Sequence, residues 1–230
     1  MKLLVFSDIH GNSYALDAFL FKIHKLQFDK LIFCGDIFGY YYNQKDIIKK
    51  LTTLKNMIWI QGNHDNYFLH IYYDNIDPLY YIQNYGHSYQ NIHSVYNDKD
   101  AAIIASHSSH NVIEADGCRV GIFHGTPDDY LEGRLYPNTP INNRIAYQNF
   151  DIVVLGHTHC RMVRMEGSTL IVNPGSLGQP RDGSGYSYCI IDTDCKSVTY
   201  DNVYFDKNLL YNQIDFYDPT LNKLKMVLER

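Results

Sequence analysis

No apolar stretch of this chain approaches the ~20 residues that a membrane-spanning helix requires. The opening Met1-Lys2-Leu3-Leu4-Val5-Phe6 runs into Asp8 and His10 too soon for a secretory leader, so it reads as a first strand. Cysteine is scarce and odd in number, with five residues and no Cys-x-x-Cys spacing. That excludes a disulfide framework and a thiolate zinc knuckle, and it fits a reducing cytosol, so a cytoplasmic protein is expected. Cys34 and Cys160 stand beside polar clusters but read as small buried hydrophobes. Positive charge is in deficit, with 20 Lys and Arg against 25 Asp and Glu. A net charge of −5 offers no bulk attraction for nucleic acid or an anionic membrane. Repeats, low-complexity tracts and linkers are also lacking, so one domain over residues 1–230 is expected, long enough to bury a full core. The oligomeric state is left open, a homo-oligomer included.

Against these absences stand five short polar clusters, each placed where an apolar run ends. They are Asp8-Ile9-His10, Gly35-Asp36, Gly62-Asn63-His64-Asp65, His124-Gly125 and Gly156-His157-Thr158-His159. The preceding runs, Leu3 to Phe6, Leu31 to Cys34, Met57 to Ile60, Val120 to Phe123 and Ile152 to Leu155, read as strands. In α/β proteins the ends of neighbouring parallel strands converge on one crevice, and chemistry is placed there. A helix capped by Ser13, with Leu16, Phe19, Leu20, Ile23 and Leu26 on one face, should follow the first cluster. A second helix is expected over Gln44 to Leu54, giving a β-α-β-α-β start with right-handed crossovers.

The remainder is less regular. Residues 66–106 are crowded with tyrosine and show no clean period, so helix and loop are expected, with a helix over Ala101 to Ala105. Asn111 to Ala115 and Arg119 to Phe123 flank the turn Asp116-Gly117. Hairpins are expected around Glu166-Gly167 and Asp192 to Lys196, and a short helix in the tail after Asp218.

The clusters supply two carboxylates (Asp8, Asp36), one carboxamide (Asn63) and four imidazoles (His10, His124, His157, His159). Seven protein donors exceed the three or four of a single open zinc site. They suit two ions about 3.5–4 Å apart with one carboxylate bridging. Two divalent cations, two carboxylates and a bridging hydroxide leave a local charge of roughly +1, which welcomes a small phosphorylated substrate. The structural alternative for Asp8, Asp36 and Asn63 is helix capping, since short polar side chains often satisfy helix starts. The other histidines (His24, His70, His87, His93, His107, His110) carry no motif. His107 and His110 are the two that could reach the cleft.

The whole set, Ser7 to Asn12, Gly35-Asp36, Gly62 to Asp65, His124-Gly125 and Gly156 to His159, resembles the signature of the calcineurin-like metallophosphoesterase superfamily. Asn173-Pro-Gly-Ser176 followed by Gln179-Pro180-Arg181 is similar to its bacterial and archaeal YfcE-type phosphodiesterase branch. The matching motifs span residues 5 to about 183. The resemblance implies a four-layer α/β/β/α sandwich with two facing mixed sheets. It places Asp8, His10 and His159 on one ion, Asn63, His124 and His157 on the second, and Asp36 between them. It further implies hydrolysis of phosphate esters, diesters first, by a hydroxide held between the ions, with His64 as general acid. Phosphomonoesters or phosphoproteins are the alternative substrates. A non-enzymatic scaffold is the alternative role, as in the retromer subunit, where the catalytic histidine is replaced. Without a thiolate donor, Mn²⁺ or iron is expected, with Ni²⁺, Co²⁺ or Zn²⁺ able to substitute. Arg181 is either a phosphate clamp or a surface arginine. Asn12 either touches substrate or shapes the first loop. One departure is notable: the aspartate that supports the catalytic histidine in the superfamily's protein phosphatases is replaced by Gly39, so something else must orient His64.

Overall fold

A computed structural model describes residues 1–141 and 145–229. Among these described residues, ten strands form two five-stranded mixed sheets. In the first, β1 (Lys2–Phe6), β2 (Lys30–Phe33) and β3 (Met57–Trp59) run parallel, and β9 (Ser187–Asp192) and β10 (Ser197–Asn202) continue antiparallel beyond β1. In the second, β5 (Cys118–Phe123), β6 (Ile152–Val154) and β8 (Thr169–Pro174) run parallel. The antiparallel strands β4 (His110–Ala115) and β7 (Arg161–Glu166) form its edges.

Strand alternation sorts the core. Leu3 and Val5 face between the sheets, where they join Ile32, Cys34, Val120, Ile122, Ile152, Val154, Leu170 and Val172 in one buried cluster. Their neighbours Leu4 and Phe6 face the other way, into a larger cluster beneath the helices. On the second sheet Val153, Leu155 and Ile171 turn outward against Leu135, Ile141 and Tyr147. Strands buried on both faces explain why the runs read as continuous apolar stretches instead of alternating ones.

The helical layers are unequal. Over the first sheet lie α1 (Ser13–Ile23), α2 (Gln44–Leu51), α3 (Asn63–Asp74), α4 (Leu79–Tyr85), α5 (Ile92–Val95) and α6 (Asp98–Ala105). Among the described residues, the second sheet is covered by the four-residue α7 (Ile145–Gln148) together with Leu135 and Ile141. The C-terminal α8 (Asn208–Tyr217) and α9 (Asn222–Leu228) return to the first sheet, where Leu210, Ile214, Leu224 and Leu228 are buried. The stretch preceding Asp218 carried no sequence expectation, and α8 fills it. The cap of α1 also differs from expectation. Asn12, not Ser13, accepts the hydrogen bond from the Ala15 amide, at 3.0 Å, and Ser13 is already helical.

Candidate metal centre

Five of the six parallel strands deliver one cluster each to the same end of the sandwich. Asp8 and His10 follow β1, Asp36 follows β2, and Asn63 and His64 open α3 just past β3. His124 follows β5, and His157 and His159 follow β6. The loops are tied to one another by main-chain hydrogen bonds: Asp8 N to Gly35 O and Ile9 N to Asp36 O, both 2.9 Å, and Gly156 N to His124 O, 2.9 Å. Across the sheets, the His157 amide donates to Asp8 Oδ2 at 3.2 Å.

These loops hold unusual backbone. Asp8, His10, Asp36, His157 and His159 all have φ between +49° and +69°. Such left-handed conformations cost non-glycine residues about 1–3 kcal/mol each and concentrate at functional sites. Asn173 holds one of these loops in place, since its Nδ2 donates to Gly156 O at 2.6 Å and to Thr158 Oγ1 at 3.1 Å. Ser176, from the same Asn-Pro-Gly-Ser segment, donates to Asp8 O at 2.7 Å.

Among the described residues, the donors fall into groups with ligand atoms within 4.8 Å of one another: Asp8, His10 and His159; Asp36, His124 and His157; and His10, Asp36 and His64. His10, His124 and His159 each place Nδ1 2.6–2.7 Å from a main-chain carbonyl, of Phe38, Cys34 and Gln179 respectively. A carbonyl only accepts, so each Nδ1 carries the hydrogen, and in the neutral ring Nε2 is the nitrogen that presents a bare lone pair. Two of those lone pairs, on His10 and His159, face each other at 3.0 Å. The carboxylates are arranged the same way. Asp8 Oδ2 is tied to the His157 amide and Asp36 Oδ1 to the His64 amide (2.9 Å), whereas the buried Asp8 Oδ1 and Asp36 Oδ2 have no hydrogen-bond partner. Asp36 Oδ2 lies 3.6 Å from His10 Nε2 and 3.3 Å from His124 Nε2, between the first two groups. Asn63 donates through Nδ2 to Tyr67 Oη (3.0 Å) and Glu132 Oε1 (3.3 Å), which leaves Oδ1 facing His124 Nε2 at 3.1 Å. Bare acceptors converging on shared points, buried and unpaired, are what a pair of divalent cations would satisfy. No thiol belongs to these groups, and burial raises the Cys34 thiol well above its ordinary range.

For three of the four imidazoles the electrostatics suit a donor role. Burial lowers His10, then the neighbouring His159 lowers it further. Burial and the Arg181 charge lower His159, and burial with the His124 charge brings His157 to about 2. Neutral imidazole is the ligating form. For His124 burial pulls downward too, but the charge of Asp36 beside it reverses this and pushes it up to about 10. Burial raises Asp36. Asp8 is held below the usual carboxylate range: burial opposes this, but the imidazoles of His159, His124 and His10 outweigh it.

The remaining sequence candidates sit around this cluster. His64 is buried, with Nδ1 2.7 Å from Tyr89 Oη, and burial together with its histidine neighbours lowers it well below its ordinary value. Arg181 is partly buried beside His159, donating through Nη2 to Tyr40 Oη (2.8 Å) and Gln179 Oε1 (3.0 Å). Both ends of the Asn12 carboxamide are engaged by main chain, with Nδ2 donating to Gly178 O at 3.0 Å. His107 stacks on Trp59 with ring centroids 4.1 Å apart, and His110 packs against Tyr130 at 4.2 Å.

Four further residues hold the site and were not among its sequence candidates. Asp65 accepts from the amides of Asp36 (2.9 Å), Ile37 (2.8 Å), Phe38 (3.3 Å) and Gly62 (3.0 Å), locking the Asp36 loop to the start of α3. Arg134 donates through Nε to His157 Nε2 at 2.9 Å, Glu132 reaches Asn63, and Tyr89 reaches His64. Asp65 lies three residues after the helix-capping Gly62, a spacing typical of carboxylates that close a helix start. Nothing in the sequence marks the other three.

The sequence pattern of the calcineurin-like phosphoesterase superfamily domain matches residues 1–196. The chain is 29% identical to the uncharacterized protein MJ0912 of Methanocaldococcus jannaschii over 229 residues, covering 91% of this chain and 90% of that protein. It is 38% identical to the phosphodiesterase YfcE of Escherichia coli over 56 residues, 24% of this chain and 30% of YfcE. The fold is similar to a metallophosphoesterase from Sphaerobacter thermophilus, with a TM-score of 0.77, 24% identity, and 100% and 98% of the two chains covered. The chain therefore belongs to the calcineurin-like phosphoesterase superfamily and is a hydrolase of phosphoester bonds.

Proposed function

We propose that the chain hydrolyses small phosphodiesters with two divalent ions held by the seven donors, and that His64 protonates the leaving oxygen. One ion would rest on Asp8, His10 and His159, the other on Asn63, His124 and His157, with Asp36 shared. When bound, the ions supply Lewis-acid polarisation of the phosphoryl group and activation of the attacking water. The chain's own residues do the rest. Asp8 and Asp36 each keep one oxygen on a main-chain amide and turn the other inward. The carbonyls of Phe38, Cys34 and Gln179 fix the imidazole tautomers. The observation that supports this reading most is the 3.0 Å approach of His10 Nε2 and His159 Nε2, both without a hydrogen, beside a partnerless Asp8 Oδ1.

The donor set is imidazole, carboxylate and carboxamide, so Mn²⁺ or iron fits, and Ni²⁺, Co²⁺ or Zn²⁺ would substitute. A diester is favoured because YfcE, the named relative, is a phosphodiesterase. Asn12, anchored at both ends, shapes the first loop toward substrate, and Arg181 offers a cation at the rim. Five unpaired thiols suit a cytoplasmic setting.

The test is turnover of an aryl phosphodiester and the matching aryl monoester with added Mn²⁺, in wild type and His64→Ala. Diester turnover that the substitution lowers by about 100-fold or more, with metal content retained, is expected. Equal rates in the two proteins would remove His64 from the mechanism, and exclusive monoester turnover would replace the diester reading.

A further inference from the structure

We propose that Tyr89 is the positioning residue of His64, holding its Nδ1 through the phenol oxygen so that Nε2 is the nitrogen that gives up its proton. The inference rests on His64 being the proton donor. Two surfaces face the Nδ1 edge of this imidazole. One is the backbone of Gly39, so close that an added Cβ would fall inside contact distance of Nδ1, and it offers no side-chain acceptor. The other is Tyr89 Oη, at 2.7 Å.

Tyr89 is fully buried, and its hydroxyl also lies 3.2 Å from the His64 main-chain carbonyl. That second contact decides the direction of the first. A carbonyl only accepts, so the phenol hydrogen goes to His64 O and the phenol oxygen is left to accept from Nδ1–H. Nδ1 thus keeps its hydrogen throughout the step. Nε2 passes a proton on only from the imidazolium, so the ring first takes one up at Nε2 from solvent, gives it to the leaving oxygen, and returns to the Nδ1–H tautomer still bonded to Tyr89. One hydroxyl fixes both the side chain and the main chain of His64 and adds no charge beside it. Neighbouring rings brace both groups: Tyr85 lies 4.5 Å from the His64 ring, and Tyr81 lies 5.5 Å from Tyr89. The tyrosine-rich segment therefore supplies the partner that Gly39 cannot.

A general acid matters most when the leaving group is a poor one, so the test is a leaving-group series. Aryl diesters running from nitrophenol to unsubstituted phenol are compared in wild type, His64→Ala and Tyr89→Phe, all loaded with Mn²⁺. For Tyr89→Phe, kcat is expected to fall about 10-fold or more with phenol and much less with nitrophenol, with KM, metal content and Tm near wild type. With histidine nitrogens labelled, the metal-free variant should show the His64 ring losing its fixed Nδ1–H tautomer while the other histidines keep theirs. A loss equal for every leaving group, or an unshifted His64 signal, overturns the role of Tyr89 while His64→Ala still shows the steep series. If His64→Ala is itself insensitive to leaving group, both readings fall together.

Discussion

At the centre of the site, His10 and His159 direct two bare nitrogen lone pairs at one another, and Asp8 Oδ1 adds an unpaired oxygen. Lone pairs so opposed repel unless a proton or a cation sits between them. For His124 the occupant without metal is a proton, because Asp36 pushes it up to about 10 from an ordinary value of 6.5. A group raised in this way stabilises the metal-free fold below about pH 6.5 and loses that contribution as pH rises through its folded value. A divalent ion needs the same Nε2, so proton and ion compete, and metal affinity should climb with pH between these limits. Calorimetric titration with Mn²⁺ at about pH 6.5 and about pH 8, in buffers of different ionisation enthalpy, should show tighter binding at the higher pH with proton release. Equal affinity at both values with no proton released contradicts the assignment. The seven donors that the fold gathers were legible in the sequence because their chemical types are rare together and each ends an apolar run. Arg134, Glu132 and Tyr89 were not, since an ordinary arginine, glutamate or tyrosine takes its meaning from what the fold sets beside it. Arg134 illustrates this: its guanidinium lies against His157 Nε2 from 23 residues away in sequence.

At the level of elements, the site is a set of strand-end loops whose strained backbone the surrounding structure must hold. The joint between β2 and α3 depends on Asp65, whose two oxygens take four main-chain amides in a fully buried setting. Asp65→Asn would turn an NH₂ group toward at least one of those amides, setting donor against donor. The expected cost is about 3 kcal/mol, or a Tm lowered by roughly 6–12 °C for a chain of this size. A calorimetric or denaturant unfolding curve measures it, and a loss below about 1 kcal/mol would show that the joint does not depend on this carboxylate. The parallel strands were legible within a residue or two because they are buried on both faces. Residues 66–106 were not, because they break into helices of four to twelve residues around a 3₁₀ turn at His87–Tyr89. Pieces so short leave no sustained period. The α8 helix went unseen for a related reason: of its ten residues, only Leu210 and Ile214 are buried.

Over the whole molecule, the donors divide between the sheets. Asp8, His10, Asp36 and Asn63 come from strand ends of the first, and His124, His157 and His159 from the second. An ion pair held by both would join the two halves at the open end of the sandwich, and binding to the folded state alone would stabilise it. The sandwich was legible from the order of the motifs and their resemblance to a family. The unequal helical layers were not, because no sequence period marks the four-residue α7, which among the described residues covers the second sheet. The central claim is that seven donors from two sheets gather around a pair of cations. The most direct measurement is anomalous scattering from crystals grown with excess Mn²⁺. The account predicts two peaks about 3.5–4 Å apart with Asp36 contacting both. A single peak, or side chains of Asp8, Asp36 and the four histidines turned away from any ion, would contradict it.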